Sequence, residues 1–406
     1  MPSLASTLKD PALSSKELIG TCPESYQHNY AIRAAATAFS RWHALSGRQR
    51  GRVLRKWFGH IIENTEDIRK IVMAENGKAK GDAEAEALFS AEFPGWFSEE
   101  AARIYGDVIP HSNPSSRIQM LKESVGVCGS IKPWNFLMAM GARKVAAALA
   151  AGCTVVLKSH GLMPFSSNNT PALGLALCES DVEEDFVYWV NAMLRWKSWT
   201  WELGGNAPFI GFDDADLEIA AASVIASKFK LTGQTCVCTN RFFIQEGIYE
   251  AFSNGSLTNG LAKTQEHIQN ALSQENYCVT WWQQVAVPGK SFHERTILGD
   301  VDYSMKVASE EMLGPLSALF KFKTEDEVAH RVSGKLELGM VAIDRKVISN
   351  YAAPFGEFKH SGMGREGSKY GIDDYVNIKM MVTGGINTVY SAQLETDHCS
   401  REKLRG

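Results

Sequence analysis

The run "RKVAAALAAGCTVVLKS", residues 143–159, constrains the fold more than any other stretch of this chain. Its first part reads as a helix. Gly152 is placed as the stop, where glycine takes the left-handed conformation at little cost. Thr154 to Lys158 then reads as a short buried strand. A helix that runs straight into a strand is the unit of an open α/β sheet, and that fixes the class.

The remaining elements fit that class. Residues 30–76 read as helices. Ser46 and Gln49 form a capping-box pattern. Val53, Trp57 and Ile61, beside Leu54, Phe58 and Ile62, make one apolar stripe at helical spacing. A second helix runs from Thr65 to Glu75. "FDDADLEIAAASVIASKF" reads as another helix with acidic residues at its start, and it leads into a cysteine-bearing loop. "RFFIQ", "LSALFKF", "GMVAID" and "YVNIKMMV" read as strands, and Thr324 and Glu327 cap a short helix. The tail from about residue 387 is polar and reads as loose. There is no internal repeat.

Bulk composition narrows the function classes. Apolar residues make up 45% of the 406, and the formal net charge is −4. No basic field is present to attract nucleic acid or an anionic membrane. The eight cysteines are scattered, and only Cys236 and Cys238 lie close together. That pattern fits a reducing, cytoplasmic setting and offers no metal cluster. The first twenty residues lack the apolar core of a secretory signal. The most apolar run, "VAAALAAGCTVVL", is too short to span a bilayer.

Three local signals suggest chemistry. "LTGQTCVCTN", residues 231–240, presents Cys236 in a Gly- and Asn-flanked loop where a thiolate nucleophile is possible; the bland reading is an inert packing cysteine. "WELGGNAPF", residues 201–209, places Glu202 just before a double glycine that lets backbone pass close to a ligand. Such a carboxylate can be a general base, or simply a solvated strand-end residue. "KPWNFLMAMGARK", residues 132–144, sets the amide of Asn135 between Trp134 and Phe136. It can donate to a developing oxyanion, or be an ordinary turn residue after proline.

Taken together, the blocks "PWNF", "RKVAAALAAGCTVVLK", "ELGGNAPFIGFDDADLE", "GQTCVCTNRFFIQEGIYEAF", "EEMLGPLSALFKFKTEDEV", "GMVAI" and "PFGEFKHSGMGREGSKYGIDDY" resemble the aldehyde dehydrogenase superfamily. The wording is most similar to its succinate-semialdehyde dehydrogenases. The resemblance covers most of residues 31–384, in the family order.

The resemblance implies an α/β fold with an open cofactor-binding domain, an α/β catalytic domain and a small β oligomerisation element. It divides the chain into an incomplete cofactor-binding domain (1–201), a catalytic domain (202–349), a returning segment with an oligomerisation strand (350–384) and a polar tail (385–406). It also implies roles. Cys236 is the nucleophile, Asn135 and the Cys236 N–H hold the oxyanion, and Glu202 activates the hydrolytic water. Lys158, Trp134 and Glu311 line the cofactor, which is NADP or NAD. At Gly161, NAD-preferring members often carry a glutamate; without it, NADP is expected to be accepted at least as well. Arg143, Lys230 and Asn350 fall on the substrate side, and Cys238 is a candidate redox-switch partner. The implied partner is a small aldehyde, succinate semialdehyde first, in γ-aminobutyrate breakdown. The implied assembly is a homo-oligomer, dimer or tetramer, with no metal, nucleic acid or membrane.

The chain also departs from the family pattern. Between Lys158 and Glu202, the segment that cradles the pyrophosphate is replaced by the Trp-rich "SDVEEDFVYWVNAMLRWKSWTW", which matches nothing expected. Blocks are cut after "GIYEAF" and after "TEDEVAH". "PWNFP" has become "PWNFL" and "PFGG" has become "PFGE". These losses keep other readings open: an impaired homologue that retains the fold, a cofactor-independent esterase, or a tailoring enzyme for a secondary-metabolite aldehyde. On this reading ester hydrolysis is expected to outrun NAD(P) reduction.

Overall fold

The computed structural model describes residues 7–11, 18–23, 28–158, 160, 187–189, 201–253, 296–324, 338–344 and 348–387. The chain divides into two compact units, one built from Met1–Ile104 and Ser124–Val376, the other from Tyr105–Glu123 and Asn377–Gly406.

The first unit opens with strands β1 (Thr7–Pro11) and β2 (Leu18–Pro23), paired antiparallel, and helix α1 (His28–His43). Helix α2 (Gly47–Glu63) starts at Ser46, whose hydroxyl accepts the Gln49 N–H while the Gln49 side chain accepts from the Ser46 N–H, the expected capping box. Val53, Leu54, Trp57 and Ile61 are buried as the spacing requires, but Ile62 is 40% exposed and falls off the edge of the stripe. Helix α3 (Thr65–Asn76) ends at Gly77 in the left-handed conformation. Helix α4 (Lys80–Glu100) has no counterpart in the sequence reading. It is buried on several faces, so its apolar residues show no single stripe, and Pro94 lies inside it. Gly51 on α2 lets the two helices close up, since a Cβ there would sit 2.3 Å from the Ser98 carbonyl oxygen.

Strand β5 (Val127–Ile131), helix α5 (Ala139–Ala151) and strand β6 (Thr154–Lys158) form the expected unit, with Gly152 at φ 90° as the stop. Strands β5, β6 and β7 (Val187–Trp189) make a parallel sheet in that order. The alanines, Val145 and Leu149 of α5 pack with Trp42, Trp57, Phe93 and Phe97 into the main core.

A second parallel sheet has the order β11 (Thr296–Leu298), β12 (Leu316–Phe322), β10 (Thr239–Gln245), β9 (Ala207–Gly211). Helix α6 (Leu217–Lys228) covers it through Ala220, Ala221 and Val224, packed against Phe242, Ile244 and Leu319. Asp216 caps α6 by accepting the N–H groups of Glu218 and Ile219. The short strands β8 (Trp201–Glu202) and β13 (Gly362–Met363) pair antiparallel.

Two expectations need correction or fall outside view. "GMVAID" is not a strand: residues 339–344 run as loop, with the Gly339 N–H donated to Glu357 Oε2. An apolar run becomes a strand only where a neighbouring ladder takes its backbone groups. The helix expected after Thr324 and the tail beyond residue 387 lie outside the described residues.

The second unit holds a three-stranded sheet in the order β14 (Val376–Thr383), β4 (Arg117–Ser124), β3 (Asp107–Pro110), with β3 and β4 antiparallel. Val108, Ile109, Ile378, Met380, Met381 and Val382 on its outer strands are exposed.

Candidate active site

The nucleophile loop follows α6. A short 3-10 turn, Lys230–Gly233, leads into Gln234 and Cys236 just before β10. Gly233 has φ 79°, and a Cβ there would sit 2.2 Å from the Gly314 carbonyl oxygen, so only glycine fits. Cys236 is exposed and Cys238 is buried; both are free thiols. Cys238 Sγ points inward and donates to the Lys228 carbonyl. Cys236 can be reached by a small molecule, yet the protein around it still desolvates the sulfur. Burial, then the charge of Glu202, push its thiol up to about 11, against the pull of Arg143.

Asn135 lies in the loop between β5 and α5. It is buried, and its Nδ2 donates to the carbonyl of Gln234 at 3.0 Å, tying the two loops together. An amide nitrogen carries two hydrogens, so a second remains for a ligand. Trp134 beside it is partly buried against the main core.

Glu202 reaches the same place from β8, where Leu203 N–H donates to the Ser361 carbonyl. Its carboxylate is the centre of a charge cluster. Arg143 Nη2 donates to both oxygens at 3.1 Å, and Lys144 Nζ donates to Oε1. Lys144 also pairs with Glu366, and Arg143 Nε lies 2.6 Å from Glu366 Oε2. Arg143 is only 2% exposed, and its guanidinium stacks over Phe355 at 4.2 Å. Burial alone would raise Glu202, but Lys144 and Arg143 outweigh it and hold its carboxyl well below the usual carboxylate range. Burial and the Glu202 charge push Glu366 up to about 7. Their environments split the two carboxyls into one that is firmly ionised and one that titrates near neutral pH.

The other candidates are placed as follows. Lys158 ends β6, opposite Ile131 in the register, so it sits with the Trp134–Asn135 loop at the carboxyl ends of parallel strands. Ligands of open α/β sheets bind at that edge. Glu311 packs on the Glu202 turn: a Cβ on Gly204 would lie 2.3 Å from Glu311 Oε2, so a larger residue there would displace that carboxylate. Asn350 is exposed and uses its Oδ1 to accept the Ala352 N–H in a local turn. Lys230 lies in the 3-10 turn, and Gly161 lies outside the described residues. Sequence reasoning missed Lys144 and Glu366. The first stands next to Arg143, and the second stands inside the quoted "SGMGREGS" block. Among the described residues no group of His, Cys, Asp and Glu could hold a metal ion. No described helix is long and apolar enough to cross a membrane.

Residues 6–183, 187–259 and 327–381 match the aldehyde dehydrogenase family. The match resumes at residue 187, where β7 extends the β5–β6 sheet, so the Trp-rich segment is not wholly foreign as expected. The unmatched stretch 260–326 includes Glu311. Succinate semialdehyde dehydrogenase of Acinetobacter baylyi is 38% identical over 451 residues, covering 92% of this chain and 93% of the relative. That alignment is longer than the 406-residue chain, so it opens gaps in this sequence. Glutarate-semialdehyde dehydrogenase of Pseudomonas aeruginosa is also 38% identical, covering 94% and 95%. The crystal structure of succinate-semialdehyde dehydrogenase from Burkholderia pseudomallei superposes with a TM-score of 0.84 at 35% identity, covering 93% of this chain and 95% of that one. The chain is an enzyme of the aldehyde dehydrogenase family.

Proposed function

We propose that the chain oxidises a small aldehyde bearing a carboxylate, succinate semialdehyde or a close homologue, to the dicarboxylic acid with NADP or NAD. One observation carries this reading. Cys236, the Asn135 amide and the clamped Glu202 carboxylate converge from three separate parts of the chain on one reachable sulfur.

The chemistry follows from these groups. Cys236 first loses its proton to solvent water; its Sγ then bonds to the aldehyde carbon while the C=O π pair moves onto oxygen as the oxyanion. The second Nδ2 hydrogen of Asn135 and the Cys236 N–H stabilise the oxyanion. A nicotinamide cofactor, if bound, would supply the hydride acceptor that turns this adduct into a thioester on Cys236. Glu202 then draws a proton from water, and the hydroxide displaces the thiol to give the acid. The residues fit that cofactor at two points. Lys158 brings a cation to the carboxyl end of β6, where it would hold a ribose or its phosphate. Glu311 brings an exposed carboxylate, suited to ribose hydroxyls, onto the Gly204 turn. Titration should find NADP bound at least as tightly as NAD, since Lys158 attracts a 2′-phosphate; clearly tighter NAD counts against this.

The carboxylate preference rests on charge. Arg143 and Lys144 face one ionised carboxylate and one, Glu366, that is half protonated near pH 7. The surplus positive charge favours an anionic substrate, with Arg143, already paired to both carboxylates, acting through its field rather than by direct contact. The relatives fit this, being named for succinate and glutarate semialdehydes. Succinate semialdehyde should exceed butanal in kcat/KM by about tenfold or more; butanal at equal or higher kcat/KM would refute the preference.

A second reading is favoured by the alignment gaps. Cys236, Asn135 and Glu202 can hydrolyse an activated ester without any cofactor, and dehydrogenase turnover is then the slower activity. Side-by-side assays of p-nitrophenyl acetate hydrolysis and NAD(P)H formation separate the two. The exposed β3 and β14 strands support assembly as a homo-oligomer, dimer or tetramer.

A further inference from the structure

The Asn135 loop is held from beneath by charged side chains that the chemistry above does not use. Lys78 follows the Gly77 stop of α3, Glu86 lies on α4, and Lys132 follows β5. They are 6%, 2% and 2% exposed. Lys78 Nζ donates to the Asn135 carbonyl at 2.7 Å and pairs with Glu86. Glu86 Oε1 accepts the Met138 N–H at 2.9 Å. Lys132 Nζ donates to the Leu137 carbonyl. Lys78 Nζ also lies over the Phe136 ring at 4.8 Å. The loop therefore makes three backbone hydrogen bonds with these side chains, accepting two and donating one.

The same face of α4 also reaches the nucleophile loop. Asp82, one turn before Glu86, accepts the Leu231 N–H through Oδ2 at 3.2 Å. Residues four apart on a helix share a face. Leu231 has φ 51°, a left-handed conformation disfavoured for leucine, so this part of the loop is held rather than relaxed. The start of α4 and the turn before it thus pin the loop of the oxyanion donor through Glu86 and Lys78, and the loop of the sulfur through Asp82.

We propose that Lys78, Glu86 and Asp82 are positioning residues that set the Asn135 amide in register with Cys236. This rests on the oxyanion role assigned to Asn135. A buried ion pair is seldom repaid in stability, since hydrophobic residues of similar volume often serve as well. Its two backbone hydrogen bonds supply a different return: a fixed donor. Removing an oxyanion donor costs about 10²–10³ in rate, and a displacement of about 1 Å can cost about a hundredfold.

The test is a double-mutant cycle on the full chain, read as the burst of p-nitrophenolate from p-nitrophenyl acetate. Asn135→Ala should slow acylation by about a hundredfold or more. Lys78→Met should slow it about tenfold to a hundredfold, and should cost almost nothing further in the Asn135→Ala background. Lys78→Arg should restore part of the rate. Alkylation of Cys236 by iodoacetamide, which forms no oxyanion, should be unchanged in Lys78→Met. If Lys78→Met does not fold, Glu86→Gln, which keeps an acceptor for Met138, runs the same cycle. Asn135→Ala at the wild-type rate would overturn the oxyanion role itself. An equal loss from Lys78→Met in both backgrounds, or a parallel loss of alkylation, would overturn the positioning role alone.

Discussion

Cys236→Ala abolishes aldehyde oxidation, a loss of about 10⁴-fold or more, while Cys238→Ala keeps most of it. The two sulfurs are one residue apart and differ in everything that matters. Cys236 is exposed and lies close enough to Glu202 and Arg143 for both to shift its ionisation. Cys238 is buried and donates to the Lys228 carbonyl, so alanine there removes a small packing group at about 1 kcal/mol. As a redox partner, Cys238 would have to turn out of that site before meeting Cys236. The raised thiol adds a signature. With its ionisation near 11, Cys236 should be alkylated slowly at pH 7 and progressively faster toward pH 11, as peptide mass spectrometry would show. Equal activity losses in the two alanine variants would remove Cys236 from its role.

Glu202→Gln should leave a pre-steady-state burst of NAD(P)H and slow the steady state by about 10²–10⁴-fold, because acylation precedes its task and deacylation needs a base. A variant lacking both burst and turnover would place Glu202 earlier in the reaction. The pH dependence follows from its neighbour. Below about pH 7 Glu366 is protonated, hydrogen-bonds the Glu202 carboxylate and weakens it as a base. Above that pH, Glu366 is ionised and can accept the proton that Glu202 takes from water. Deacylation should therefore rise with pH through about 7. Glu366→Gln should flatten that rise, keeping one acceptor oxygen for Lys144 and losing the charge beside Arg143. An unchanged profile in Glu366→Gln would assign the ionisation elsewhere.

How much of this was legible depended on whether the information was local. Cys236, Asn135 and Glu202 each carry a motif in neighbouring residues, and Gly152 and Ser46 mark element ends by their own conformations. The charge cluster was hidden because Glu366 meets Lys144 only through the tertiary fold. Arg143 was expected on the substrate side, and nothing local says that its guanidinium is spent on Glu202 and Glu366. Helix α4 escaped because a helix buried on several faces loses the amphipathic period that reveals one. "GMVAID" misled for the opposite reason: it has strand composition, but residues 339–344 join no ladder. Strand β7 lay inside a tryptophan-rich run whose bulk drew attention from its three pairing residues.

The sheet of the second unit bears on handling as much as on biology. Among the described residues, its outer strands β14 and β3 pair on one side only and expose Val108, Ile109, Ile378 and Met380. Such an edge joins any strand offered to it, native or not. Mass action then decides the outcome: high protomer concentration favours the ordered partner, and dilution leaves the edge bare. Specific activity in a cuvette should therefore depend on how concentrated the stock was and how long it stood after dilution. Kinetic constants gathered at one concentration would mix catalysis with self-association.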